Sequence, residues 1–501
     1  MSVKFSVAHL STFPHGGAGM AASGLHRGLL AQGVDSHFYY RQNQSANGLD
    51  HTYSSIDELY CPSPPSTLFR KSSMGKWMEQ KHQTKRLIRI GQHYHLHLLD
   101  NDRQTEVFSQ AEMHDETWLD ASRFRHQILN LHWTAFAFDF PSFFSSLPKR
   151  LPIVWTLHDQ NAYTGGCHFV TGCQRFETGC GNCPQILASN ANDLSRHSFR
   201  IKRAALASRP VHVVAPCQWM LNEAQKSPIF ARAKSFHHIP YGLDTSQFDA
   251  ATATDKNMGS RLLPTILFGA EDLRNERKGV RYAIEAINEL AKIAKQLPLN
   301  LGGAPTARSI DSLGEHSKRL RLWTFGKSLP PETLGLIDPS VVIKQWGYIS
   351  DRRLQGQLYR SADVFWLPSL EDNQPQTALE AMACGTAVVG FAAGGVPEVV
   401  RHDQTGIIVP VKDAKAMAVA TSDLLRDRAR LARLSQAGES MVRQEFSPHR
   451  QALSYLELYR SILEGRVGIL NRLARPFSPR TESHPKPLRP KAQERDSTVA
   501  R

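Results

Sequence analysis

Residues 367–400, LPSLEDNQPQTALEAMACGTAVVGFAAGGVPEVV, hold the side chains best placed to do chemistry. A strand pattern ends at Ser369, an acidic loop with Glu371 and Asp372 follows, and Pro375 stands where a first-turn helix proline is favoured. A helix is predicted over residues 375–384, and its first free N–H groups, around Gln376 and Thr377, would face the loop. With the helix dipole they form a site for a diphosphate. Glu380 follows Asp372 by eight positions, about two helical turns or less, so the two carboxylates can hold different hydroxyls of one elongated ligand. Taken singly, Glu380 reads as a solvated side chain and Asp372 as a helix cap. The glycines Gly394 and Gly395 ahead of Val396-Pro397-Glu398 turn the segment as a whole towards binding.

A second cluster is GGCHFVTGCQRFETGCGNCP, where Cys167, Cys173, Cys180 and Cys183 account for four of the seven cysteines. Cys180 and Cys183 form a CxxC knuckle, and four thiolates make a complete tetrahedral shell for structural zinc. Unliganded reduced thiols and a redox pair are the other readings. Disulfides are disfavoured in the reducing compartment expected below.

The elements that must position these residues alternate between strand and helix. VKFSVAHL, PHGGAG, MAASGLHRGLLAQG and VDSHFYYR read as strand, glycine loop, helix and strand, the opening of a Rossmann-like unit. Buried parallel strands follow at residues 128–133, 153–158 and 211–216, each ending in polar or special residues, where open α/β sheets bind ligands. A second series has strands at 265–270, 322–326, 342–347, 363–369 and 387–391 with helices between. The expectation is an α/β protein of two Rossmann-like domains facing across a cleft: residues 1–243 with the four-cysteine insertion at 167–183, residues 244–463, and a tail at 464–501. The polar stretch SQFDAATATDKNMGS marks the boundary.

At 501 residues, 41% hydrophobic and 21% charged, the chain suits two globular domains. Residues 466–501 carry nine Lys or Arg against three Asp or Glu, about six of the net +14, and five prolines, so they read as a disordered tail. Residues 70–89 hold seven basic residues against Glu79, interleaved with Trp77, Met78, Leu87 and Ile88; this suits contact with an anionic membrane surface, or equally a solvated helix face. No leader pattern and no apolar run of 18 residues is evident, so the chain is expected in the cytoplasm. A nucleic-acid binder is disfavoured because the charge is local and no groove-reading module is visible. A nicotinamide dehydrogenase is disfavoured because Gly16, Gly17 and Gly19 are followed by Ala22, which breaks the GxGxxG spacing.

These motifs resemble the family 4 retaining glycosyltransferases of the GT-B fold. That family has two acidic residues separated by seven positions, then EAMACGTPVV and a GG(I/V)PE turn; here they read EAMACGTAVV and GGVPE. IPYGLDTSQF is similar to the family's interdomain IPNGID segment, and GGAGMAASGLHRGL to its N-terminal motif. The resemblance runs over roughly residues 1 to 460. LEDNQPQTALEAM and TLHDQNAYTGGCHF are most like the colanic-acid-type, exopolysaccharide-building branch. Two positions depart from the pattern. Asp372 stands where most members have Glu, with Glu371 adjacent, and Ala270 replaces the strand-end arginine, for which Arg277 or Arg274 would stand in.

The resemblance implies a metal-independent transfer, with retention at the anomeric carbon, from a UDP- or GDP-linked sugar to a glycan or lipid-linked acceptor. Glu380 would then hold the ribose, Asp372 or Glu371 the donor sugar, and Lys278 with an arginine the diphosphate. His158, at the end of IVWTLH, matches a family histidine that reaches the donor sugar. Gly16 and Gly17 let the backbone approach the diphosphate or acceptor, and Asn373, Gln376, Thr377 and Gly395 complete the expected set. Another GT-B enzyme, such as a sugar-nucleotide epimerase or a phosphorylase, is the nearest alternative.

Overall fold

The structure is a computed structural model that describes residues 5–40, 107–112, 125–186, 189–248, 263–296 and 319–465. The basic stretch 70–89, residues 249–260 of the polar stretch 246–260, and residues 466–501 of the tail 464–501 lie outside them. Two six-stranded, wholly parallel sheets carry the fold. The first comprises β1 Ser6–Ser11, β2 Asp35–Tyr40, β3 Ile128–Leu131, β4 Ile153–Thr156, β5 Val211–Ala215 and β6 Ser235–His238, in the order β2-β1-β3-β4-β5-β6. The second comprises β7 Thr265–Asp272, β8 Leu320–Lys327, β9 Val341–Gln345, β10 Val364–Leu367, β11 Ala387–Phe391 and β12 Gly406–Val409, in the order β12-β11-β10-β7-β8-β9. Central strands such as β4 (IVWT) and β11 (AVVGF) are buried at every position, because helices cover both faces of a parallel sheet.

The helices of eight or more residues are α1 Gly16–Ala31, α2 Leu194–Leu206, α3 Gln218–Lys226, α4 Val280–Gln296, α5 Arg352–Ser361, α6 Gln376–Ala383, α7 Ala414–Arg426, α8 Arg428–Glu445 and α9 Pro448–Leu463. The glycine stretch expected as a loop is the first turn of α1. Gly19 sits there because a Cβ would overlap the backbone of Phe13 and Pro14, whereas Gly16 and Gly17 face open space. Two edge strands carry no sequence signal of their own: β6 (SFHH) is polar and partly exposed, and β12 (GIIV) is four residues long.

The expected domain over residues 244–463 loses its last helix to the other half. Ala452, Tyr455, Leu456, Tyr459 and Ile462 of α9 share one core with Val7, Leu25, Ile128, Val154 and Val214 of the first sheet and α1. Position along the chain does not say which sheet an amphipathic helix covers. The contact is also polar: Asn130 Nδ2 donates to the Tyr459 hydroxyl (2.8 Å), the Thr156 hydroxyl donates to Asn130 Oδ1 (2.9 Å), and the Tyr455 hydroxyl donates to Thr156 Oγ1 (2.8 Å). Asn130 and Thr156 are polar residues inside buried strands, so each needs the partner it has.

Tyr459→Phe therefore leaves the Asn130 amide N–H buried without an acceptor and costs about 1–3 kcal/mol. Tyr455→Phe costs less, because it strips a donor while Thr156 keeps Asn130. Urea unfolding of the two variants should rank them in that order.

Candidate functional site

The carboxyl ends of the two sheets face each other, and the loops that leave them meet. The residues after β10 supply Glu371, Asp372, Asn373 and Gln374, four consecutive polar side chains, all buried. Each finds a different partner. Glu371 Oε2 accepts from the backbone N–H of Thr171 (2.8 Å), in the cysteine-rich segment. Asp372 Oδ2 pairs with Lys278 Nζ (2.7 Å). Asn373 Nδ2 donates to the backbone carbonyl of His158 (2.7 Å), and Gln374 exchanges two hydrogen bonds with the backbone of Tyr241 (2.9 and 3.1 Å). Three of the four bond directly to the N-terminal half.

The two adjacent carboxylates are thus in different surroundings. Burial pushes the Asp372 carboxyl up, but Lys278 at 2.7 Å and Arg277 at 3.8 Å outweigh it and hold it below the usual carboxylate range. Glu371 is dominated by burial, which raises its pKa, and its Oε1 is buried with no hydrogen-bond partner. Arg277 is the buried arginine here: it donates to the Glu371 carbonyl (2.9 Å) and stacks on the Phe169 ring, 3.6 Å from its centroid. Arg274 is turned away, paired with Asp272 at the surface.

Glu380 lies about one turn inside α6 and is buried, not solvated. Arg352 at the start of α5 binds its Oε1 (2.8 Å), and Tyr359 and Gln355 donate to its Oε2 (2.9 and 3.2 Å). Burial raises its pKa in spite of Arg352. No local spacing links ISDRRL to residue 380, so only the fold brings Arg352, Gln355 and Tyr359 to this carboxylate. Between the two acids, Gln376 and Thr377 open α6 half-exposed, as the proline at residue 375 foretells. The structure gives Gly395 an internal task. A Cβ on Gly394 would overlap the Asp372 carbonyl, and one on Gly395 the Asn373 carbonyl and Cys217, so the pair seats the acidic loop itself.

His158 joins this site from the N-terminal half. Its ring stacks on Tyr241, centroids 5.1 Å apart, its carbonyl is held by Asn373, and burial lowers its pKa to about 4 although Asp159 opposes the shift. Asp159 accepts from the Trp133 indole (2.6 Å), from the Asn161 N–H (2.9 Å) and from His168, whose other ring nitrogen meets Ser109 (2.8 Å). This network braces the segment that carries Phe169 and Thr171. The four expected metal ligands, Cys167, Cys173, Cys180 and Cys183, are free thiols lining one cavity of about 20 Å³. Among the described residues no three His, Cys, Asp or Glu side chains stand close enough, as they are, to hold a metal ion.

Residues 264–427 match the family model described as Glycosyl transferases group 1. A D-inositol 3-phosphate glycosyltransferase of Xylanimonas cellulosilytica is 30% identical over 236 residues, 44% of this chain and 50% of that one. The chain thus spans about half the length of the curated relatives it matches. Among solved structures, sucrose-phosphate synthase from Thermosynechococcus elongatus superposes with a TM-score of 0.57 at 19% identity, over 92% of this chain and all of that one. Anabaena HepE in complex with UDP-glucose superposes with a TM-score of 0.53 at 15% identity, over 91% of this chain and all of the other. The fold is GT-B, as its two parallel sheets and these superpositions show.

The burial of Glu371 makes a pH-dependent prediction. A carboxyl whose pKa is raised by folding favours the native state while protonated, and that contribution is lost as pH rises from the unfolded value of about 4.3 through the native one. Glu371→Gln keeps an acceptor for Thr171 without the charge. Its stability relative to wild type should therefore rise over that pH range and level off above it, as read by urea unfolding at each pH.

Proposed function

We propose that this chain is a retaining glycosyltransferase that moves a sugar from a UDP- or GDP-linked donor to a glycan or lipid-linked oligosaccharide acceptor, in the making of exopolysaccharide or another cell-surface polysaccharide. One observation carries the reading: two buried carboxylates, each with its own cation, flank the half-exposed start of α6 where the ends of both sheets meet. Such a site offers N–H groups and a helix dipole for a diphosphate, with an acidic hydroxyl acceptor on either side. The UDP-glucose in the Anabaena structure supports a nucleotide-sugar donor, and the name of the inositol phosphate enzyme supports glycosyl transfer. The LEDNQPQTALEAM motif favours the colanic-acid-type branch. A cytoplasmic chain with peripheral contact to an anionic membrane belongs to the same proposal, since lipid-linked acceptors are presented there.

In this mechanism the departing nucleoside diphosphate gathers negative charge, which Lys278, Arg277 and the first N–H groups of α6 meet without a divalent ion. Glu380 takes the ribose hydroxyls, and Asp372 the donor sugar. Glu371, tied to Thr171, closes the two halves together. The cysteine segment is proposed to hold structural zinc. Its four thiols share one cavity and are soft donors in the right number, and binding would draw them together.

Steady-state kinetics and donor titration test the site. Glu380→Ala should weaken donor binding by roughly 1.5–3 kcal/mol, while Lys278→Ala should lower turnover more than binding, because charge on the leaving group grows towards the transition state. Asp372→Asn should lower activity and Glu371→Gln should not. Near-wild-type activity in both Glu380→Ala and Lys278→Ala would remove the donor from this loop and helix. A labelled donor returned as an epimer, with no transfer, would show an epimerase instead.

Metal analysis of the purified protein should find about one zinc per chain, and chelation should destabilise the fold. Metal near zero with four titratable thiols would show that the cluster is a reduced, metal-free core.

A further inference from the structure

Phe169 is a large apolar ring that belongs to no apolar core. It is half-buried, and none of the three apolar clusters among the described residues includes it, although Cys167, Val170 and Cys173 on either side pack into one of them. The backbone around it is pinned from three directions. The Gln185 amide donates to the Phe169 carbonyl (2.7 Å), the Val170 N–H donates to Gln160 Oε1 (2.6 Å), and the Thr171 N–H donates to Glu371 Oε2 (2.8 Å). What the ring covers is a cation: the Arg277 guanidinium carbon lies 3.6 Å from the ring centroid. At that height a guanidinium standing on edge would drive its nitrogens into the ring, so the two planes lie face to face. Arg277 belongs to the turn between β7 and α4, so ring and cation meet across the boundary between the two halves.

A guanidinium offers all its N–H bonds in its own plane, so whatever fixes the plane decides where those donors point. The Phe169 ring sets the tilt of that plane, and the bond from Arg277 Nη1 to the Glu371 carbonyl (2.9 Å) sets the rotation within it. Glu371 is itself tied to Thr171, two residues from Phe169, so one short segment of the N-terminal half governs both contacts. Lys278, the next residue, needs no such guidance, because an ammonium is a compact point charge with rotatable donors. A side chain that merely filled space beside Arg277 could be leucine. One that sets a plane must be flat.

We infer that Phe169 is a positioning residue for Arg277, and that its ring holds the guanidinium in the plane in which it receives the diphosphate of a nucleotide. The nature of the ligand rests on the glycosyl-transfer reading; the pairing of ring and cation across the boundary does not. Because the ring comes from the N-terminal half, Arg277 has this geometry only while the two halves are together.

The test is a double-mutant cycle on full-length protein. Phe169→Leu keeps an apolar side chain and removes the aromatic face, Phe169→Tyr keeps the face, and Arg277→Met removes the cation. Binding of UDP and GDP is measured by calorimetry, with uridine and guanosine, which lack the phosphates, as controls. Phe169→Leu should weaken binding of the diphosphate that the wild type takes by about fivefold, leave the nucleoside unchanged, and be relieved in Phe169→Tyr. In the Arg277→Met background Phe169→Leu should cost nothing further. An equal loss for the nucleoside, an equal loss in Phe169→Tyr, or additive losses in the double variant would make Phe169 a space-filling residue and overturn the inference. Should Phe169→Leu not fold, Phe169→Met supplies the same comparison. Binding of neither diphosphate by the wild type would strike the glycosyl-transfer reading instead. The cycle is then read in urea unfolding, where coupling of the two substitutions upholds the pairing and additivity overturns it.

Discussion

Burying four polar side chains in a row is costly unless each is bonded, and the stretch Glu371 to Gln374 meets that condition only when both halves of the molecule are in place. Thr171, the His158 carbonyl and Tyr241 come from the N-terminal half, and Lys278 comes from the second sheet's own unit. The loop is therefore ordered by the approach of the two sheets, and the approach is in turn specified by the loop. Glu398 repeats the device after β11, where its two oxygens cap the first N–H groups of α3 across the same boundary (2.7 and 2.8 Å). These contacts are directional and polar. Outside α9, the large apolar clusters stay within one half or the other. Such an interface sets geometry without locking it as a shared core would.

The strand and helix framework was legible because it rests on local patterns. Uniformly apolar runs such as IVWT and AVVGF can only be central strands of a covered sheet, and Pro375 ahead of an apolar helix marks its start. Asp372, Glu380, Lys278 and His158 were singled out through motifs and the family resemblance; in the structure Asp372 pairs with Lys278, the neighbouring Asn373 holds the His158 carbonyl, and Glu380 lies inside α6 against Arg352. What stayed hidden was long-range. Arg352 reaches Glu380 from another helix, and Phe169 reaches Arg277 from another domain; neither pairing leaves a trace in spacing. The destination of α9 was hidden for the same reason, since its apolar stripe would fit either sheet.

The cysteine-rich segment gains a meaning from its neighbours. Phe169 and Thr171, which touch Arg277 and Glu371, lie between Cys167 and Cys173, and Asp159 and His168 brace the same segment from below. Thr171, Cys180 and Asn182 all adopt left-handed backbone conformations, which a short segment sustains only when something fixes its turns. Whatever state the thiols are in, stiffening the segment positions a contact to the acidic loop, at a distance from any reacting atom.

The ion pairs at the site bear on how a donor would bind under the proposed function. Asp372 and Glu380 are both buried, so neither can lose its cation without a large desolvation penalty. A diphosphate drawing Lys278 towards itself would leave Asp372 undercompensated unless a sugar hydroxyl took up the freed oxygen at the same moment. The two halves of a nucleotide sugar would then bind better together than apart, because each relieves a cost that the other creates. A free nucleotide would fill the phosphate subsite but leave Asp372 short of a partner, and a free sugar would find Asp372 already taken by Lys278. Selectivity for the intact donor thus follows from burying the carboxylate beside the cation, and an exposed acid at residue 372 would forfeit it.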